Sequence, residues 1–140
     1  MTVEDIALQF TPGIGVKGAV HLLECFGSAE RIFAATEEEL TVRAELRADL
    51  ARQIVRRAGF SSAEKELKYC RKHGIIPIAS TDPEYPPLLR EIPDYPHVIY
   101  VQGNPQRLAE RCLPVVGTRA VTPYGQVVCS RPLEPLAERA

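Results

Sequence analysis

"PVVGTRAVTPYG", Pro114–Gly125, reads as an apolar strand, a glycine turn and the start of a helix. Strand, turn and helix in that order build the open sheets of α/β proteins, where ligands bind beyond the carboxyl ends of strands. Gly117 allows close approach of the backbone. Thr118 brings a hydroxyl, and the turn's amides donate alongside it. Arg119 is a permanent cation that can grip a phosphate with two prongs or stack on a base. Thr122 followed by Pro123 has the form of an N-cap and a first helical position. The G-x-G-x-x-G spacing of a dinucleotide site is absent, and so is the Lys-Ser/Thr end of a P-loop. By mechanism the stretch is a phosphate or nucleotide site. It also fits a plain strand-to-helix turn with Arg119 on a surface carboxylate.

Working back from this stretch, "HVIYVQG" and "LPVVG" are strand candidates closed by Gly103 and Gly117, and "IIPIA" is a third. Between them, "DPEYPPLLREIPDYP" is proline-rich, with room for a helical turn or two in "PPLLREI". Upstream of residue 74 the pattern is helical. The expected organisation is a helical domain over 1–73 and an α/β domain over 74–140. The fold class is α+β to α/β, with the second part beginning an extended Rossmann-like parallel sheet.

The helical part is punctuated by caps. A short helix fits residues 4–10. From Val16 an apolar stripe at 16, 19, 20, 23 and 26 runs to Gly27. Ser28 can cap a helix to about Ala34. Thr36 with Glu39, and Ser61 with Glu64, have capping-box spacing. "RAELRADLARQIVRRA" sets Leu46, Leu50 and Ile54 four apart on one helical face. The last helix ends near His73, with Gly74 as its stop.

Within this region "LQFTPGIGVKGAVHLLECFG" has the form helix, glycine turn, helix, and resembles a helix-hairpin-helix motif of DNA repair and replication proteins. Gly13 and Gly15 are expected at positive φ, with Ile14 pointing inward to fix the two helices. The amides opening the second helix favour an anion, and Lys17 adds a charge beside them. Gly13, Ile14, Gly15 and Lys17 are therefore candidate contacts to a DNA backbone. A structural hairpin that touches no DNA explains the same residues.

The net charge of −1 conceals an uneven distribution: −5 over residues 1–40, +5 over 41–72 and −1 over 73–140. The acidic first segment disfavours a polyanion at the hairpin. The basic middle fits a solvated helix face. Cys25, Cys70, Cys112 and Cys129 are far apart and, with His21, His73 and His97, show no metal-ligand spacing. They read as reduced structural thiols. No apolar run nears the ~20 residues of a membrane helix, and "MTVEDIALQF" puts acids where a signal peptide is basic. No cofactor, metal or membrane is expected, and the location indicated is cytoplasmic.

"TDPEYPPLLREIPDYPHVIYVQGN" followed by "PVVGTRAVTPYG" is similar to the DNA-processing protein A (DprA/Smf) family. That family reads approximately D-x-x-Y-P-x-x-L, then an apolar strand ending in G-N or G-D, then V-G-S-R-x-x-T-x-Y-G. With the hairpin standing where the family has its small helical domain, the likeness covers roughly residues 8–128. It implies single-stranded DNA binding through an extended Rossmann-like domain, protection of incoming DNA, RecA loading in natural transformation, homodimerisation and no enzymatic activity. The family's loop contacts to the DNA backbone carry over to Gly117, Thr118 and Arg119, with Thr118 in place of the usual serine. Thr122 joins them as the next phosphate-binding candidate. The family's domain extends well past this loop, and Pro132 and Pro135 fall where its first helix runs. The expectation is therefore a fragment, with strands lacking sheet neighbours and with weakened DNA affinity.

Two other functions fit parts of the pattern. A Rossmann-like nucleotide hydrolase of the lysine-decarboxylase-like type also opens with a strand and a G-S-type turn, but its later glycine-rich motif with a glutamate is missing here. A helical protein-interaction module is the other. No Ser/His/Asp or paired-carboxylate site can be argued from spacing.

Overall fold

A computed structural model describes residues 1–110 and 120–133. Two compact units emerge, Met1–Glu110 and Arg111–Ala140. The first begins with helices α1 (Val3–Phe10), α2 (Val16–Phe26), α3 (Ala29–Ala34), α4 (Glu37–Arg43), α5 (Ala48–Val55) and α6 (Phe60–His73). Strand β1 (Ile75–Ala79), the short helix α7 (Pro87–Arg90) and strand β2 (Val98–Gln102) follow, then a 3-10 turn at Pro105–Ala109. The boundary expected near residue 74 falls inside this unit. Among the described residues, no helix is long and apolar enough to cross a membrane.

Local chemistry sets the helix ends. Thr36 N donates to Glu39 Oε2 at 2.8 Å, and Glu39 N returns to Thr36 Oγ1 at 3.2 Å. This reciprocal box opens α4 as its spacing predicts. Ser28 accepts from Arg31 N to open α3. Gly27 and Gly74 close α2 and α6 in the left-handed conformation. The helix expected to open at Ser61 instead starts at Phe60 with Gly59 as its N-cap. Gly59 lies so close to α1 that an added Cβ would fall 2.2 Å from Ala7 O.

Leu46, Leu50 and Ile54 do not share one helix. The chain breaks between α4 and α5, with Glu45 at φ 50° and Leu46 N bonded to Leu40 O. The core explains the break. Ala44 is buried in it and Leu46 packs against it. Two residues apart, they would point about 200° away from each other on a continuous helix.

The core joins Ile6, Leu8, Leu22, Ile32, Leu40 and Ile54, all fully buried. Phe33 meets Phe60 edge-to-face at 4.9 Å. Val98, from β2, belongs to the same cluster. The strands β1 and β2 pair antiparallel, from Ile75↔Gln102 to Ala79↔Val98. The α+β character is present, but these two strands are antiparallel neighbours rather than members of a parallel sheet. The connection between them turns straight back, since Ser80 N bonds His97 O at 2.7 Å and α7 is too short to cross a sheet face. The third expected strand, "LPVVG", lies outside the described residues.

Asp82 organises that connection. Its carboxylate accepts from Ala79 N at 2.8 Å and from the Met1 amino group at 2.6 Å. Tyr85 is buried, and its hydroxyl donates to Pro96 O.

In the second unit, α8 (Pro123–Val128) runs into a π-helical turn at Cys129–Leu133. Thr122 caps α8, with Pro123 at the first turn, as the sequence predicts.

Candidate nucleic-acid interface

The hairpin turn between α1 and α2 is built from Thr11 to Gly15. Ile14 N bonds Thr11 O at 3.1 Å, and Thr11 Oγ1 donates to Ala7 O at 2.8 Å. Gly13 has φ 83°, a conformation that only glycine adopts without strain. Leu50 packs against it, so a Cβ there would lie 2.5 Å from Leu50 Cδ2. Gly15 differs from the expectation of positive φ. It is extended, with φ −86° and ψ 179°, because it serves as the N-cap of α2. Ile14 is buried and locks the turn to the core.

Gly15 brings no side-chain cap to α2, so no cap side chain satisfies the amides that open this helix. Lys17 sits in the same first turn and is exposed. A cleft of about 170 Å³ lies beside the turn, lined by Gln9, Ile14, Gly15, Val16, Pro96 and His97. Of the four hairpin residues, the structure thus places Gly13 and Ile14 in packing roles, and Gly15 and Lys17 at the open end of a helix.

Gly117, Thr118 and Arg119 lie outside the described residues. Thr122, just after them, is exposed, and its hydroxyl oxygen accepts from Gly125 N at 3.1 Å. That bond engages the oxygen as acceptor and leaves the hydroxyl proton for another partner.

Sequence reading missed a buried polar chain. His97 Nε2 donates to Asp5 Oδ1 at 2.9 Å, and His97 Nδ1 lies 2.8 Å from Ser80 Oγ. Asp5 Oδ2 also accepts from Thr2 N and Thr2 Oγ1. Burial pushes the Asp5 carboxyl up, but the bonds from His97 and Thr2 and the charge of His97 outweigh it and hold the group below 3.8. An ionised Asp5 can only accept, so Nε2 carries a proton. Ser80 then donates to Nδ1 of a neutral ring or accepts from a charged one.

The three residue types are those of a nucleophilic triad, yet Asp5, Ser80 and His97 are each no more than 6% exposed. A reacting carbonyl needs access to the hydroxyl. This chain is a structural link between α1 and the strand pair. No sequence signal could have found it, since Asp5 and His97 stand 92 residues apart.

Among the described residues, no group of three or more His, Cys, Asp or Glu side chains is placed to hold a metal ion. Residues 77–140 match the family model described as DNA recombination-mediator protein A. The resemblance read from the motif order is borne out over that segment, and the match suggests a DNA-processing role in recombination. No curated protein and no solved structure gives a significant match to the chain.

Proposed function

We propose that this chain binds single-stranded DNA, protects it and helps load RecA recombinase onto it, as a binding protein with no chemical step of its own. The observation that carries this reading is the family match over 77–140, a segment that includes Gly117, Thr118 and Arg119, which the sequence pattern reads as a turn. In the proposal the turn's amides and Thr118 meet phosphate oxygens, and Arg119 clamps one phosphate or stacks on a base. Thr122 adds its hydroxyl proton. An extended Rossmann-like domain orients this loop and provides a homodimer contact. The work is done in the cytoplasm, on DNA taken up in natural transformation.

The hairpin plays a secondary part. Its open helix end and Lys17 can hold one backbone phosphate without reading sequence.

Fluorescence anisotropy with a labelled single strand at fixed salt tests the proposal. Arg119→Ala should weaken binding roughly tenfold, the value of one charge-assisted hydrogen bond, and Lys17→Ala should weaken it less. Equal affinity for wild type and Arg119→Ala would remove the site. Hydrolysis of nucleoside monophosphates by the purified chain would replace the binding function with an enzymatic one.

A further inference from the structure

The basic middle segment has a structure its sequence does not reveal. Several of its arginines have local partners. Arg47 bonds Asp49, and Arg52 lies 3.7 Å from Glu37. Arg43 and Arg57 sit over the rings of Phe26 and Phe60. The lysines of α6 are different. Lys65, Lys68 and Lys72 are at least partly exposed and take part in none of the ion pairs among the described residues.

Their spacing of three and four puts them on one face of the helix, together with Tyr69. The stripe spans about 10 Å along the axis. It lies away from the side formed by Ala63, Leu67 and Cys70, which packs inward. Lys72 and His73 suit the negative end of a helix dipole. Lys65 and Lys68 lie too far from that end for the dipole to account for them.

Tyr69 sits among these cations and is 53% exposed. Its ring stacks on His73, with centroids 4.0 Å apart and planes 27° from parallel. His73 Nδ1 bonds Tyr69 O at 2.8 Å, which fixes the imidazole beside the phenol. An exposed, pre-stacked aromatic pair within a row of unpaired lysines has the two components of a single-strand nucleic-acid surface. The lysines track phosphates and the rings receive a base. Glu64 and Glu66 flank the stripe, which confines a polyanion to its centre line.

We infer that the α6 face of Lys65, Lys68, Tyr69 and Lys72 is a contact surface for single-stranded nucleic acid, built from residues other than Gly117, Thr118 and Arg119. This inference rests on the proposed DNA-binding function for the class of its ligand. Charge alone would also suit an anionic membrane or an acidic protein. The stacked ring pair favours nucleic acid over both.

The sequence contains no tryptophan, so Tyr69→Trp puts a single indole reporter on the surface. Its fluorescence should be quenched saturably by a thymidine oligonucleotide, in the wild-type and the Arg119→Ala backgrounds alike. Neutralising the stripe with Lys65→Gln, Lys68→Gln and Lys72→Gln should cut affinity by an order of magnitude. It should also flatten the log–log salt dependence by about 2, as expected for three lost single-strand phosphate contacts. None of the three positions is buried, so the thermal melt should shift only by the small dipole contribution of Lys72, which separates a binding loss from unfolding.

If the oligonucleotide binds through Arg119 while the indole reporter stays silent, the surface is not a DNA contact, and the proposed function stands. If anionic vesicles or a polyglutamate peptide quench the reporter and the oligonucleotide does not, the identity of the partner is overturned. If wild type binds no oligonucleotide at all, both readings fall.

Discussion

Asp5 and His97 meet at 2.9 Å with both side chains buried, closing a link between α1 and the strand pair across 92 residues of sequence. His97→Ala would leave Asp5 Oδ1 buried without its donor. The expected loss is about 3 kcal/mol, the low end for stranding one member of a buried pair, since Thr2 still serves Oδ2. Urea melts at neutral pH measure it. An unchanged midpoint would mean that water replaces the imidazole at no cost.

The same carboxyl gives a pH dependence with a defined sign. Its folded pKa lies below its ordinary value of 3.8. Its ionised form therefore stabilises the fold, with the contribution complete above 3.8 and lost as pH falls through the lowered folded value. Asp5→Asn should be less stable than wild type at neutral pH, and the gap should narrow on acidification through that window. A constant gap would remove Asp5 as a source of acid sensitivity.

Gly13 and Gly15 should respond in opposite ways. Gly13→Ala combines positive φ with a Cβ 2.5 Å from Leu50 Cδ2, and should cost about 1–3 kcal/mol. Gly15 is extended with nothing within 4 Å of an added Cβ. Gly15→Ser should be neutral or stabilising by about a few tenths of a kcal/mol through a new N-cap bond. Thermal melts of the two variants compare them directly. Equal losses would mean that the turn is not built as described.

What could be read from sequence was local. Thr36 with Glu39, Ser28, Gly27, Gly74 and Thr122 with Pro123 each act on atoms within a few residues, and each end falls where its chemistry puts it. The break before α5 was hidden, because Leu46, Leu50 and Ile54 satisfy helical spacing whether or not the chain is continuous. Packing of Ala44 and Leu46 into one core decides it. The antiparallel partner of β1 and the Asp5–His97–Ser80 chain depend on contacts made across the whole unit. In the candidate interface, the sequence marked Lys17 and the glycine turn, but could not distinguish paired arginines from unpaired lysines in the basic segment.

The thiols should separate by reactivity. Cys70 is buried, and burial pushes its thiol up, with Glu66 adding to the effect. Cys129 is exposed. Alkylation followed by peptide mapping should label Cys129 quickly and Cys70 only after denaturation. Rapid labelling of Cys70 in the folded chain would show that α6 opens locally far more often than its packing against α1 implies.

The last expectation concerns how far the helices depend on the strand pair. Almost all of the core cluster comes from α1 to α6, so a chain ending at His73 keeps most of its buried apolar surface and should fold. It would lose Val98 from that cluster and His97 from Asp5. Those two losses together are worth on the order of 4–6 kcal/mol, a large share of the stability of a domain this small. A chain ending at Glu110 retains both contacts. Urea melts of the two should therefore show a cooperative transition in each, with the shorter chain's midpoint well below the longer one's. Coincident midpoints would mean that the strand pair adds nothing to the helices, and that Asp5 is equally well satisfied without His97.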